Sequence, residues 1–489
     1  PPRRIAEFER THRERTVTLG ELKAIAEELQ RIYHRKGYVT TRVVVPAQKS
    51  TGGRLRLRVL EGRYGVIRVE GAEHFSVGPN YRAYLPPEGE VLDRDRLDAA
   101  VRNINLHPDK DVRAVLRAGE EPGSTDMTLK VEEQRPWHVA VGLDNSGSEN
   151  TPKHRATLQL QHDNLFDRSQ SAIFQFTASP GNIHKVRQYA LTYNVPLAPL
   201  GGPSGDSITL YGGYSESDSD TALGLIDLQG AGSVAGVRYS TRLPEVFSFR
   251  QRLGFGMEWQ KVEHETQAGT FTKQEEVRKL PLVLSWSASR ADPHGLTALY
   301  AGIRYQLADL YYDFDSEDYE QVRPEAEADF WVGELGLTRR QRLWGDWSFI
   351  FDATAQIPEG RLVPSEQFPL GGYDTVRGYR NRLIVADEAL LIRSELRAPV
   401  LPRFLPAGAR EQIQPLAFVD TAWAENVSAR GGELDKDEML AAGVGLRASF
   451  FDSALTGRVD AGWALKDVES TGSDEEGDLT IHFGILYRY

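Results

Sequence analysis

The sequence predicts a mainly β protein, a 16-stranded transmembrane β-barrel preceded by small α+β domains. Three observations carry that reading. Helical periodicity nearly vanishes after Pro136, and from Trp137 to Tyr489 the chain runs in segments of about ten residues with every second residue apolar. Nowhere do about eighteen apolar residues follow one another, as a membrane-crossing helix requires. A stretch of about 28 residues, Glu359–Ala386, carries no alternation, and a connection that long is more often functional than idle.

Residues 1–62 read as one α+β domain. Thr18 and Glu21 stand at capping-box spacing, and Leu22, Ile25, Leu29, Ile32 and Tyr33 follow at helical steps, so a helix begins after Thr18 and stops at Gly37. Strand-like segments Tyr38–Val45 and Arg54–Leu60 complete the domain. A strand ahead of the helix is weak or missing, and the chain opens Pro1-Pro2-Arg3-Arg4 without methionine or leader. The first domain is therefore expected to be incomplete at its N-terminus.

Residues 63–134 repeat the theme in full. Strand Tyr64–Glu70 breaks at Gly71, and a short helical segment lies around Pro79–Tyr84. A helix over Asp93–Leu106 carries the stripe Leu97, Val101, Ile104, and strands Asp111–Arg117 and Met127–Glu133 follow. This order, β-α-α-β-β, is a small open sheet backed by helices, whose edge can pair with an incoming extended segment.

Residues 135–489 form the barrel region. In Leu479–Tyr489, Leu479, Ile481, Phe483, Ile485, Tyr487 and Tyr489 point one way, with Thr480, His482, Gly484 and Arg488 opposite. Leu440–Phe450 alternates likewise, with Ala441, Gly443, Gly445, Arg447 and Ser449 on the small or polar face, and Leu455–Leu465 places Arg458 and Asp460 on that face. A soluble sandwich also alternates. Strand number, strand length and the succession of short turns and longer polar loops favour an outer-membrane barrel. The acidic stretches Ser215–Asp220, Asp313–Glu320 and Asp467–Asp478 suit the long extracellular loops.

Composition narrows the function. With 40% hydrophobic and 26% charged residues, the chain is too polar for a helical membrane protein. A formal charge of −12 argues against nucleic acid as the main partner. The absence of cysteine excludes disulfide scaffolds, zinc–cysteine sites and thiol catalysis. No phosphate-cradling GxxxxGK[ST], no HExxH and no GxSxG occurs, and the eleven histidines are scattered, so no enzyme, nucleotide, cofactor, metal or catalytic residue is expected.

The candidate site lies in the long loop, at Leu370-Gly371-Gly372-Tyr373-Asp374-Thr375-Val376-Arg377-Gly378-Tyr379. Its glycines allow tight folding, and Arg377 is the one cation of this decapeptide. On a later strand Phe418, Asp420 and Ala422 share a face, and a charge there is tolerated only toward the lumen. Arg393, Glu395 and Arg397 alternate on one face of a strand, as lumen-lining charges would. Arg377 folded back into the lumen could meet Asp420 in a bidentate bond, a positional clamp more than a stabiliser, because desolvation offsets the Coulomb gain. The alternative leaves Arg377 in solvent and Asp420 balanced by Arg393 or Arg397.

Four passages in order resemble the two-partner secretion transporters (TpsB-type, haemolysin and haemagglutinin secretion) of the outer membrane. Tyr33-His34-Arg35-Lys36-Gly37-Tyr38, with Val45-Pro46-Ala47-Gln48 and Val59-Leu60-Glu61-Gly62, is similar to the end of that family's first polypeptide-transport-associated (POTRA) domain. Leu143-Asp144-Asn145-Ser146-Gly147 resembles its first barrel strand, Val376-Arg377-Gly378-Tyr379 its loop motif, and Phe418-Val419-Asp420-Thr421-Ala422 its partner strand. The family's strand motif ends in glycine where Ala422 stands, which puts close packing there in question. The resemblance also implies an N-terminal plug helix, which the sequence does not show. It implies periplasmic POTRA domains, an Arg377–Asp420 contact, outer-membrane lipid around the barrel, and a secreted exoprotein partner (TpsA-type, a β-helical adhesin or cytolysin). An insertase for other barrels and a diffusion porin with accessory domains are the alternatives.

Overall fold

A computed structural model of the chain describes residues 10–12, 17–48, 54–148, 151–216, 231–268, 271–308, 316–403, 405–430, 433–468 and 476–489. Of the acidic stretches expected on long loops, residues 217–220, 313–315 and 469–475 lie outside these. The chain divides into two compact units. One comprises residues 1–136 with the segments 163–169 and 196–205, and the other holds the remaining residues through Tyr489.

In the first unit, the helix Leu19–Arg35 starts on a complete capping box. The Thr18 hydroxyl accepts from the Glu21 N–H, and the Glu21 carboxylate accepts from the Thr18 N–H. Lys36 caps its C-terminus and Gly37 follows at φ +91°, a left-handed turn that suits glycine. Ala26 and Leu29 pack against Val43. The strands after the helix are shorter than expected, β1 (Arg42–Val44) paired antiparallel with β2 (Arg58–Leu60). Tyr38–Thr41 instead form a turn, with the Thr41 N–H bonded to the Tyr38 carbonyl.

Further along, β3 (Arg63–Glu70) pairs parallel with β5 (Ser124–Glu133), which pairs antiparallel with β4 (Lys110–Ala118). Helix Arg94–Ile104 is capped by the Asp93 carboxylate and buries Leu97, Ala100 and Ile104. The core joins Leu97 and Ile104 to Tyr64, Ile67, Val112, Met127 and Leu129.

The second unit is a closed barrel of 16 strands. It opens with β6 (Trp137–Asp144), β7 (Arg155–Leu165), β8 (Gln170–Ala178), β9 (Arg187–Pro196), β10 (Ser207–Ser215), β11 (Ala231–Val246) and β12 (Phe249–Ala268). Next, β13 (Phe271–Lys279) and β14 (Leu282–Asp292) pair with the same strand β12 and are halves of one strand, parted where Pro281 has no N–H to give the ladder. The wall continues through β15 (Gly295–Gln306), β16 (Phe330–Arg342) and β17 (Ser348–Pro358). Two short strands, β18 (Phe368–Leu370) and β19 (Ile384–Ala386), stand outside the wall. The last wall strands are β20 (Glu388–Arg397), β21 (Gln412–Glu425), β22 (Lys436–Phe450), β23 (Leu455–Ala464) and β24 (Leu479–Arg488), and β24 pairs with β6 to close the ring.

The two faces part as the alternation predicts. Leu479, Ile481, Ile485 and Tyr487 are exposed on the outer surface, as are Val444, Leu446 and Val459, whereas Asp460 and His482 are buried inside. No described helix is long and apolar enough to cross a membrane.

Candidate functional site

The connection from Pro358 to Glu388 folds back into the barrel. Inside it β18 and β19 pair antiparallel, Phe368 opposite Ala386 and Leu370 opposite Ile384. This corrects the expectation of a stretch without strands. Strands of three residues are too short to show alternation, and Pro369 disguises one of them. The tip between them turns on Gly371, Gly372 and Gly378, all with φ near +100° (+101°, +100° and +110°).

The tip rests on a dry recess. Leu370, Val376, Tyr379 and Ile384 of the loop pack on Ala389, Leu391, Ala422, Ala424, Met439 and Ala441 of the wall. Four of these six wall side chains are alanines. Ala422, where a glycine was anticipated, lies within this cluster without spoiling it. The closest approach falls elsewhere: a Cβ on Gly378 would stand 2.9 Å from the Ala441 Cβ, and a Cβ on Gly462 would stand 2.7 Å from the Gly378 nitrogen. The Tyr379 hydroxyl reaches the Lys466 carbonyl at 2.7 Å, fixing the far side of the motif.

Arg377, only 1% exposed, is the centre of the polar contacts. Its Nε donates to Asp420 Oδ2 at 2.7 Å, its Nη2 to Asp420 Oδ1 at 2.8 Å, and its backbone N–H to Asp420 Oδ2 at 3.1 Å. Nη1 donates to Glu395 Oε1 at 2.5 Å and lies 3.7 Å from Asp460 Oδ1. The guanidinium carbon sits 3.7 Å from the centre of the Phe418 ring, a cation–π contact. A planar fork is suited to this set, because it can satisfy two carboxylates in different directions at once. Arg447 closes the circuit by donating to Asp460 at 2.7 Å and to Glu395 at 3.1 Å, and Arg397 donates to the other Glu395 oxygen at 2.7 Å. Small residues make the room: a Cβ on Gly443 would meet the Phe418 ring at 2.4 Å, and one on Gly445 would meet Asp460 at 2.1 Å.

The structure therefore brings together Val376, Arg377, Gly378, Tyr379, Phe418, Asp420, Glu395 and Arg397. Arg393, opposite Asp420 in the strand register, donates from Nη1 to the Asp374 carbonyl on the loop tip. The alternative with Arg377 in solvent does not hold. Three members were not anticipated: the direct Glu395 contact, Asp460 and Arg447. Charges on the small-residue faces of β22 and β23 were the available signal, but only the strand register reveals which of them meet.

A second polar cluster, also unanticipated, holds the base of the loop. Arg323, on the connection between β15 and β16, makes a bidentate pair with the buried Asp387 at 2.5 and 3.0 Å and donates to the Leu362 carbonyl and to Glu433. Asp387 further accepts from the N–H groups of Leu362 and Val427 and from Gln367. Arg361 grips both Glu433 oxygens at 2.7 and 2.9 Å. Nearby, buried Lys279 donates to Glu366 at 2.5 Å, with Arg304 at 3.2 Å on its other oxygen. Burial works against the charge on Glu433, but the hydrogen bond from Arg323 and the neighbouring cations outweigh it and hold its carboxyl below the ordinary range.

Beside the tip the lumen is open, and polar side chains face it. A cavity of about 190 Å³ is lined by Arg155, Thr157, Gln175, Thr177, Gln188 and the loop residues Tyr373 and Asn381. A second, of about 600 Å³, reaches Gln159, Arg397, Gln414, Arg447 and Arg458. Asp144, Thr157, Gln175 and Tyr373 line both, so the loop tip stands where one gives way to the other.

Known proteins are similar to this chain in sequence and in fold. The profile of the family described as haemolysin secretion/activation protein ShlB/FhaC/HecB matches residues 123–448, and that of the ShlB-type POTRA domain matches residues 1–62. The chain is 21% identical over 422 residues to the heme/hemopexin transporter protein HuxB of Haemophilus influenzae (strain 86-028NP), covering 83% of this chain and 70% of that one. It is 24% identical over 391 residues to the outer membrane transporter CdiB of Dickeya dadantii (strain 3937), covering 77% of this chain and 66% of that one. CdiB from Escherichia coli superposes with a TM-score of 0.79 at 19% identity over 99% of this chain and 88% of its own, which shows a common fold.

Proposed function

The chain belongs to the haemolysin secretion/activation family ShlB/FhaC/HecB, and from that premise we propose how its barrel and loop move a cargo. It is an outer-membrane translocator of secreted exoproteins, with POTRA domains in the periplasm. The family consists of transporters, and neither the insertase nor the porin alternative is favoured.

Residues 1–62 and 63–134 serve as two POTRA domains, and residues 135–489 as the barrel. An unfolded exoprotein segment adds to a free sheet edge of the POTRA domains, where main-chain hydrogen bonds give affinity without demanding one sequence. The cargo is a large exoprotein of the β-helical adhesin or cytolysin type, and lipid surrounds the outer apolar band. The segment then advances along the cavities, past Thr157, Gln159 and Gln175, until it meets Tyr373 on the loop tip. Amide and hydroxyl side chains suit such a passage, since they can exchange bonds with any backbone and hold none tightly.

The loop is the barrier and Arg377 its latch. The observation that carries this reading is a buried arginine on a loop held by two wall carboxylates, Asp420 and Glu395, inside the lumen. Desolvation offsets much of the pair's attraction, so the latch fixes position at modest net cost to movement. Folding of the cargo outside biases its travel. The test is a secretion assay with the cargo co-expressed. Cargo should reach the medium with the wild-type transporter and fall to background with Arg377→Ala present at equal outer-membrane level. Cargo retained by an inserted wild-type barrel contradicts the translocator reading.

A further inference from the structure

The sequence passage Leu143–Gly147 and the loop residue Asn381 take no part in the clamp, yet the structure joins them at the place where the barrel closes. The ladder between β24 and β6 runs from Arg488 opposite Ala140 to Gly484 opposite Asp144, extended at one end by paired bonds between Val139 and Tyr489 and at the other by a single bond from the Asn145 N–H to the Phe483 carbonyl at 3.3 Å. On its other side β24 is paired from Leu479 to Tyr487. The part of β24 from Leu479 to His482 therefore has no strand beside it at the seam.

Side chains fill that gap. Asn145 continues the ladder by amide mimicry: its Oδ1 accepts from the Phe483 N–H at 2.8 Å, and its Nδ2 donates to the Ile481 carbonyl at 2.8 Å. Asn381 then holds Asn145 in place from the lumen. Its Nδ2 donates to the carbonyls of Asn145 at 3.0 Å and Gly147 at 2.9 Å, while its Oδ1 accepts from the Tyr373 N–H at 2.7 Å. Gly372 is the notch that admits this side chain, since a Cβ there would stand 2.0 Å from Asn381 Oδ1. The same loop reaches the opposite side of the seam, where the Thr480 hydroxyl donates to the Gly378 carbonyl at 3.0 Å.

We infer that Asn381 is a seam-positioning residue: through Asn145 it staples the first strand to the last, so that the tip of the long loop cannot leave its place without loosening the barrel seam. The arrangement is one side chain with an acceptor for its own loop and donors for the wall, the inventory that asparagine supplies and aspartate does not. A loop displaced during export thus unfastens the seam in the same movement, a consequence that rests on the function proposed above. The staple itself can be read without cargo.

The experiment is amide hydrogen exchange on the purified full chain, comparing segments 137–148 and 479–489 with the distant strands β15 and β16. Asn381→Asp keeps the acceptor for Tyr373 and removes both donors to the wall. It should exchange about tenfold faster than wild type in both seam segments and at the wild-type rate in β15 and β16, because the lost bonds lower only the local opening energy. Seam exchange unchanged in Asn381→Asp, or accelerated equally all round the barrel, overturns the inference. A second variant guards against misfolding. The chain has no cysteine, and Gly142 faces Leu486 at a pair that exchanges no main-chain bonds. An oxidised Gly142→Cys/Leu486→Cys disulfide should return the Asn381→Asp seam to the slow rate, whereas continued fast exchange in the oxidised protein overturns the inference. Because exchange needs no exported protein, a failed secretion assay leaves this result standing.

Discussion

At the tip of the long loop Arg377 meets carboxylates that stand on the barrel wall, Asp420 on β21, Glu395 on β20 and Asp460 on β23, whereas at its base Arg361 and Glu366 take partners from neighbouring connections and strand ends. The wall partners are held by strand ladders on both sides and cannot follow the loop if it moves. Partners such as Arg323 and Glu433 lie on connections that can move with it. The tip contacts are thus a fixed mark against which the loop is positioned, and at the base the partners Arg323 and Glu433 form a collar on connections, while Glu366 keeps Lys279 and Arg304 of the wall. A loop that must leave a passage repeatedly is better served by one rigid mark and one pliable anchorage than by two rigid ones.

That difference can be broken most severely at the tip. Arg377→Ala leaves Asp420 and Glu395 buried beside each other without their shared cation, which costs about 3–5 kcal/mol. The temperature at which the folded barrel loses its fast electrophoretic mobility should drop, and export should fall to background. Asp387→Ala strikes the base, removing the acceptor of the Arg323 fork and of the Leu362 and Val427 N–H groups. It should cost about 1–3 kcal/mol and increase transient openings in planar bilayers while export continues. Loss of export as complete as with Arg377→Ala would erase the distinction between the two anchorages.

Glycines sharpen the contrast. Gly378→Ala must place a Cβ against Ala441 at φ +110° and should lose about 1–3 kcal/mol with reduced export. Gly360→Ala, near the base with nothing within 4 Å, should behave as wild type in both assays. The smallest effect is one of pH. Glu433 has its folded value lowered beneath 4.5, so the stabilisation it gives the base is complete above that value and is lost as pH falls through the folded one. Bilayer openings should therefore rise as the outer bath is acidified below about 4.5, and Glu433→Gln should show the raised openings already at neutral pH.

Much of this was legible in the residues. Alternation located the wall, because each strand is long enough to show a period of two, and helix Leu19–Arg35 was announced by Thr18 and Glu21 at its start. The tip was legible because Arg377 and the Asp420 strand each carry a charge where its placement is restricted. The collar was not. Arg323, Arg361, Asp387 and Glu433 are ordinary charges on polar connections, and nothing local distinguishes them from solvated ones until the chain is folded. Asp460 and Arg447 lie between these cases, visible as charges among Ala and Gly but paired only through the register of β22 with β23. Likewise β18 and β19 escaped notice, since three residues are too few to establish a period.

The most direct test of the clamp is a double-mutant cycle on Arg377 and Asp420. Arg377→Ala, Asp420→Ala and the combined variant are compared for outer-membrane level, loss of fast electrophoretic mobility on heating, and cargo in the medium. If Arg377 acts through Asp420, the combined variant is no worse than the more damaged single one, because the second substitution removes a partner already lost. Losses that simply add, or normal export by an inserted Arg377→Ala barrel, contradict the clamp.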